Sequence, residues 1–195
     1  MYEQLLHKLN KLTPLNPQQQ QQLCRFAHKL ELPKASLILE AGEISNHIYF
    51  VAQGVVRSWY SSYGKEVTRW LCFEGHFASS YFSFAYRNPS EDSIISISDC
   101  ELLCISYDDL HYLSQQDQVW IDLNRRLLEF YYTNLLERVA SFQTQSTAER
   151  YNALLQEHPD IEDRVTLSYI ASYLGMTQET LSRLRKKSKK RQKLT

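Results

Sequence analysis

The sequence predicts an α+β fold: an N-terminal β-roll, a long helix and a C-terminal helix-turn-helix. Three observations carry that expectation. Short apolar runs ending in glycine fill residues 37–105, and one long amphipathic segment follows over 117–146. Near the end, a helix–glycine–helix pattern then runs into a burst of positive charge.

The elements follow in order. Residues 2–30 read as helical. Asn16-Pro17 offers an N-cap and a proline at the first helical position, and Leu23, Phe26, Ala27 and Leu30 recur at helical spacing. The glutamine run from Gln18 to Gln22 reads as a solvated helix face rather than low complexity, because the apolar stripe passes through it. From Leu37 the runs LILEAGE, IYFVAQG, VVRSWYSSYG, VTRWLCFEG, DSIISIS and CELLCIS read as strands. Gly42, Gly54, Gly64 and Gly75 each close a run, where hairpins often need a positive φ. Strands this short and this regular suggest a roll or small barrel rather than a parallel sheet. Between them, FASSYFSFAYRNPSED reads as a short aromatic helix and a turn at Asn88-Pro89.

Residues 107–146 return to helix, with Ser106 or Asp108-Asp109 starting a first segment and Asp117 a longer one. The longer helix has two apolar stripes. Ile121, Leu128, Leu135 and Phe142 repeat every seven residues, with Tyr132 and Val139 between them; Trp120, Leu123, Leu127 and Phe130 form the other. One stripe can cover the roll while the other meets an identical helix, so the spacing points to a homodimer. The alternative is a monomer that buries both, which a single small roll does not easily do.

Ala148–Leu155 is a further helix, closed by His158-Pro159, and the acidic turn IEDR leads into SYIASYLGMTQETLSRLRKK. Ala171 lies four residues before Gly175 and Leu181 six after it, the helix-turn-helix arrangement. A small residue faces the crossing helix, the glycine permits the sharp turn, and the leucine completes a small core. Thr177 can cap the second helix, whose exposed positions are Gln178, Glu179, Ser182, Arg183 and Lys186. An ordinary helical hairpin with a solvated face is the competing reading, but the charge distribution favours DNA. The chain has 22 basic and 22 acidic residues, yet eight of the basic ones lie from Arg183 onward with no acid among them. Subtracting these eight from 22 leaves positions 1–182 with 14 basic residues, a net of −8. A basic end on an acidic body calls for a polyanion at that end. Gln178, Glu179, Ser182, Arg183 and Lys186 carry groups that donate to or accept from base edges and phosphates. Thr177, Ser182, Lys186, Lys187, Lys189, Lys190 and Arg191 are the expected backbone contacts.

Other classes find little support. No apolar run approaches the ~18–20 residues that span a bilayer, and the N-terminus MYEQLLHKLNKL does not read as a signal peptide. Cys24, Cys72, Cys100 and Cys104 form no CxxC pair, which suits free thiols in a cytoplasmic protein. Cys72 with His76 and Cys100 with Cys104 read as buried residues of the roll, and no metal or other cofactor is expected. Enzyme motifs (G-x-S-x-G, a phosphate-cradling glycine loop, H-E-x-x-H) are missing, and the scattered histidines do not make a cupin-like cluster. A ligand-binding or protein-interaction regulator that no longer binds DNA stays open beside the DNA-binding reading.

Gly42-Glu43, Tyr49-Phe50-Val51 before Gly54, Phe73-Glu74-Gly75 and IASYLGMTQETLSRLRKK, in that order, resemble the Crp/Fnr family of bacterial transcription regulators. The resemblance implies a cyclic-nucleotide-binding-like sensor roll over 1–115, a dimerisation helix over 116–146 and a winged helix-turn-helix DNA-binding domain over 147–195, with Gln178, Glu179 and Arg183 at its base-reading positions. It implies a homodimer on a palindromic operator, with RNA polymerase and a small-molecule effector as further partners. Nucleotide-binding members carry Phe-Gly-Glu after the glycine matching Gly75, then an arginine and a Ser or Thr for the ribose and cyclic phosphate. Here the segments read FASS and PSEDS, and Glu91 and Asp92 repel a phosphate. The effector is therefore expected not to be cyclic AMP. The expected pocket residues are Phe77, Ser79, Ser80, Tyr81, Phe84 and Arg87, with Arg87 the only nearby cation.

Overall fold

The computed structural model describes the backbone of residues 1–192 and the side chains through Lys186. Its first helices are α1 (Tyr2–Asn10) and α2 (Pro17–Phe26). Asn16 and Gln19 cap α2 reciprocally, each side chain bonding the other's backbone N–H at 2.9 Å. Helix does not continue to Leu30, as the spacing suggested. His28–Leu32 is a strand, β1, because HKLEL also alternates with period two and pairs residue for residue with Cys100–Cys104. Pairing at a sheet edge outweighed a weak local helical pattern.

The roll comprises β1, β2 (Leu37–Leu39), β3 (His47–Gln53), β4 (Val56–Ser62), β5 (Lys65–Cys72), β6 (Phe77–Ala78), β7 (Ser93–Ser96) and β8 (Cys100–Ser106). They form two antiparallel four-stranded sheets, ordered β1-β8-β3-β6 and β2-β7-β4-β5. Tyr63 and Gly64 join β4 to β5 with φ of 49° and 72°; positive φ at both central residues matches the twist of a tight hairpin. Strand alternation sorts the side chains. Val51, Val56, Ile94 and Leu102 fill the space between the sheets, whereas Phe50, Leu103 and Ile105 face outward onto the helices. A short helix, α3 (Tyr81–Tyr86), interrupts the roll between β6 and β7.

Helix α4 (Tyr107–Gln116) leads to α5 (Gln118–Thr144), capped by Asp117, which accepts from Val119 N at 3.1 Å. Trp120 and Leu123 of α5 are buried with Leu5, Leu9, Phe50 and Leu103, so one stripe does cover the roll. On the other stripe Ile121, Tyr132, Leu135, Val139 and Phe142 are between 42% and 62% exposed. Beyond α5 come α6 (Thr147–Glu157), α7 (Ile161–Arg164), α8 (Leu167–Tyr173) and α9 (Gln178–Gln192). The IEDR segment, read as a turn, is the single-turn α7. Residues 147–192 are helices and connections, with no strand of a wing among the described residues.

The C-terminal helices do not keep a core of their own. Val55, Leu71 and Phe73 of the roll are buried in one cluster with Tyr151, Ile161, Ile170 and Leu181. Polar contacts reinforce it: Thr68 N donates to Ser172 Oγ at 2.8 Å, and Arg164 pairs with Glu74 at 2.5 Å. Arg57 is 2% exposed, ion-paired to Glu66 at 2.7 Å and 3.9 Å from the Tyr169 ring centre. Burying an arginine is tolerable where its charge is paired and a ring covers it.

Candidate nucleic-acid interface

The turn between α8 and α9 forms as its spacing requires. Gly175 has φ +67°, Ala171 is 2% exposed and Leu181 is fully buried. Thr177 Oγ1 accepts from Thr180 N at 3.2 Å, an N-cap for α9. Gln178, Glu179, Arg183 and Lys186 are exposed on α9, with Ser182 half-buried beside them. The side chains of Lys187, Lys189, Lys190 and Arg191 lie outside the described residues.

Two local contacts shape this face. Glu179 and Arg183 share a face, but Arg183 Nε donates to the Glu179 backbone carbonyl at 3.4 Å rather than to its carboxylate. The carboxylate is held below its usual range chiefly by backbone and Thr177 hydrogen bonds, with Arg183's charge a lesser cause. Arg185 is no free phosphate ligand either: its Nε donates to Glu162 at 2.8 Å, and the Tyr151 hydroxyl bonds the same carboxyl group. That buttress ties α9 to α6 and α7, leaving Arg183 and Lys186 as the basic side chains of α9 that face water among the described residues. Only the i, i+4 pattern of α9 hinted at it, since Glu162 is remote in sequence.

The expected effector residues do not converge. Phe77, Ser79 and Tyr81 line a cleft of about 1170 Å³ between the roll, α5 and helices α6 and α8; Ser80, Phe84 and Arg87 do not. Ser80 is buried at the start of α3, its carbonyl accepting from Phe84 N at 2.8 Å. Phe84 packs edge-on against Tyr107 at 5.3 Å. Arg87 donates to the Ser45 carbonyl at 2.8 Å and to the Asn46 side chain, and stacks over Tyr107. A guanidinium so engaged braces the roll. At the expected phosphate position Asp92 accepts from Arg69 Nε at 2.8 Å; burial pushes its carboxyl up while Arg69 pulls it down.

Sequence reasoning missed the groups that build the cleft. Tyr131 of α5 accepts from Phe77 N through its hydroxyl at 2.7 Å, stitching the long helix to β6. His158 stacks on Phe73 at 3.9 Å, with His76 at 6.4 Å from it. Burial lowers both histidines, so they favour the neutral form. Cys72, also on the wall, is buried and pushed up to about 12, an inert thiol. All four cysteines are free. No group of three His, Cys, Asp or Glu gathers at one point among the described residues, and no helix there is long and apolar enough to cross a membrane.

The chain thus joins a two-sheet roll, a long helix carrying an apolar outer stripe, and a helix-turn-helix with a polar outer face. Residues 29–117 match the cyclic nucleotide-binding domain family. The whole fold is similar to the catabolite activator protein of Thermus thermophilus, at 19% identity and a TM-score of 0.58 over 94% of this chain and 87% of that one. It is also similar to the c-di-GMP-responsive global regulator CLP of Xanthomonas campestris, at 19% identity and 0.65 over 87% and 89%. A third relative in structure is a Crp/Fnr-family transcriptional regulator from Eubacterium rectale, at 19% and 0.68 over 87% and 82%. Among curated protein sequences none matches the chain.

Proposed function

We propose that this chain is a DNA-binding transcription regulator of the Crp/Fnr type, acting as a homodimer on a palindromic operator. The observation that carries the reading is the exposed face of α9, where Gln178, Glu179, Arg183 and Lys186 stand over buried Ala171 and Leu181, with Gly175 making the turn between the helices. Arginine can give two hydrogen bonds to guanine O6 and N7, and glutamate can accept from cytosine N4. Lys186, Lys187, Lys189, Lys190 and Arg191 supply charge for phosphates, which position the helix without reading sequence.

The uncovered stripe of α5 supports the dimer. Five large apolar residues spaced along one helix face are a costly surface to leave in water, and an identical helix would cover them. On this division the sensor roll spans 1–115, the dimer helix 116–146 and the DNA-binding segment 147–195. The protein works in the cytoplasm, as a regulator and not an enzyme, with RNA polymerase as a further partner. Cyclic AMP is not the effector: Arg87 is spent on Ser45 and Asn46, and the phosphate position holds Glu91 and Asp92. The cation beside that position, Arg69, is already paired with Asp92 and Glu91, whose charges repel a phosphate.

Selection from a random duplex pool tests this function. The reading predicts enrichment of an inverted repeat whose half-sites lie about 34–36 Å apart, one turn of duplex. A pool that stays random after repeated selection defeats it.

A further inference from the structure

The cleft between the long helix and the C-terminal helices is lined by two arginines, Arg138 and Arg150, that form no ion pair among the described residues. Arg138 of α5 is half-buried. Its guanidinium donates to the backbone carbonyls of Arg69 and Tyr173 and lies against three rings: Tyr173 at 4.2 Å, Trp70 at 5.0 Å and Phe142 at 5.6 Å. Arg150 of α6 donates to the carbonyls of Leu174 and Gln145 and lies 4.8 Å from the same Phe142 ring. Neither has a carboxylate within 4.0 Å among the described residues, although Arg57, Arg69, Arg125, Arg164 and Arg185 all do. Two cations thus lie by one aromatic ring, answered by backbone carbonyls but paired with no carboxylate among the described residues.

Their surroundings sharpen the point. Both arginines line the cleft of about 1170 Å³, whose other walls include Trp70, Leu71, Phe73, Leu154 and Tyr173. Glu129, Glu137 and Glu157 also line it, but all three are exposed and pair with neither arginine; Glu129 pairs with Arg125 at 2.5 Å. Burial holds the Arg138 pKa down, as for a positive charge removed from water without a counter-charge. Carbonyls use two of Arg138's five N–H donors and three of Arg150's, so donors remain free on each.

We propose that this interdomain cleft binds an amphipathic monocarboxylate, its carboxylate between Arg138 and Arg150 and its apolar body along Trp70, Leu71 and Phe73. The site shares its cleft with the effector position of the roll but lies at the end built by β5, α5, α6 and the end of α8. A ligand there touches both the long helix and the helix-turn-helix. Binding is independent of the DNA-binding reading, so its failure leaves that reading standing.

The test is calorimetry of the full chain with decanoate, and with decanol as an uncharged twin. Decanoate should bind at one site per chain, with decanol weaker by about tenfold or more, as a charge-assisted pair of hydrogen bonds requires. Arg138→Gln should bring decanoate to the affinity of decanol while leaving decanol unchanged. If that variant does not fold, the wild-type comparison still decides. Equal affinity of the two, or no binding of decanoate, overturns the proposal.

Discussion

Replacing Gly175 by alanine should cost the fold about 2–3 kcal/mol, in two separable parts. The first is conformational. Gly175 sits at φ +67°, where a residue with a Cβ pays roughly 1–2 kcal/mol. The second is steric: a Cβ built there meets Phe142 Cε1 at 2.7 Å, against the ~3.5–4.0 Å of ordinary carbon contact. The ring must withdraw by about 1 Å, and because Phe142 is 42% exposed it has room, so this part should be near the ~1 kcal/mol lower bound for overpacking. Chemical denaturation of Gly175→Ala, Phe142→Ala and the double variant separates the two. The double variant should recover about 1 kcal/mol of coupling and leave the φ penalty in place. Since Val55, Leu71 and Phe73 share a core with the C-terminal helices, each protein should unfold in one transition. A cost below about 0.5 kcal/mol, or no coupling to Phe142, refutes this account of the turn.

Other consequences follow from the same geometry. Leu135→Asp puts a charge in the middle of the exposed α5 stripe and should raise the dimer dissociation constant about tenfold or more, as read by sedimentation equilibrium. Cyclic AMP should give no stoichiometric heat at micromolar concentration, because Arg87 is already bonded within the roll. Stability should fall as the pH drops below the ordinary histidine value of 6.5. His76 is lowered chiefly by burial and then by Lys8; His158 is lowered chiefly by burial, against the opposing pull of Glu157 and Asp160. A depressed folded pKa means the unfolded chain takes up protons first, so stability is full above 6.5 and is lost as pH falls through the lowered values. Thermal melts from about pH 7.5 to about pH 5.5 at fixed ionic strength should show this loss, and His76→Asn should shrink it.

What could be read from the sequence divides along physical lines. The helix-turn-helix was legible because Ala171, Gly175 and Leu181 carry its geometry within eleven residues. The roll was legible because its turns need glycine and its strands alternate. Strand β1 was not: HKLEL fits either period, and the choice depended on a partner strand seventy residues away. The expected effector residues lie close together in sequence but not in space. Phe84 and Arg87 turn toward Tyr107 and Ser45 to brace the roll, while the cleft is walled by Tyr131, Arg138 and Arg150. Which side of α5 an arginine faces is visible from periodicity, but what it meets there is not. Arg57 shows the same limit, since a charged residue in a strand reads as solvated unless Glu66 and Tyr169 are known to cover it.

The central claim is that α9 and the basic end meet DNA, with reading and positioning assigned to different residues. Fluorescence anisotropy of a selected duplex and a scrambled one, titrated at several salt concentrations, tests it most directly. Wild-type affinity should fall linearly on a log–log plot, with a slope near −0.9 per neutralised phosphate. Lys190→Ala should weaken both duplexes alike and reduce that slope by about one. Arg183→Ala should cost about 1–3 kcal/mol on the selected duplex and relax preference at one base pair, with little change on the scrambled one. Binding that ignores salt, or an Arg183→Ala variant that weakens both duplexes equally, contradicts the account.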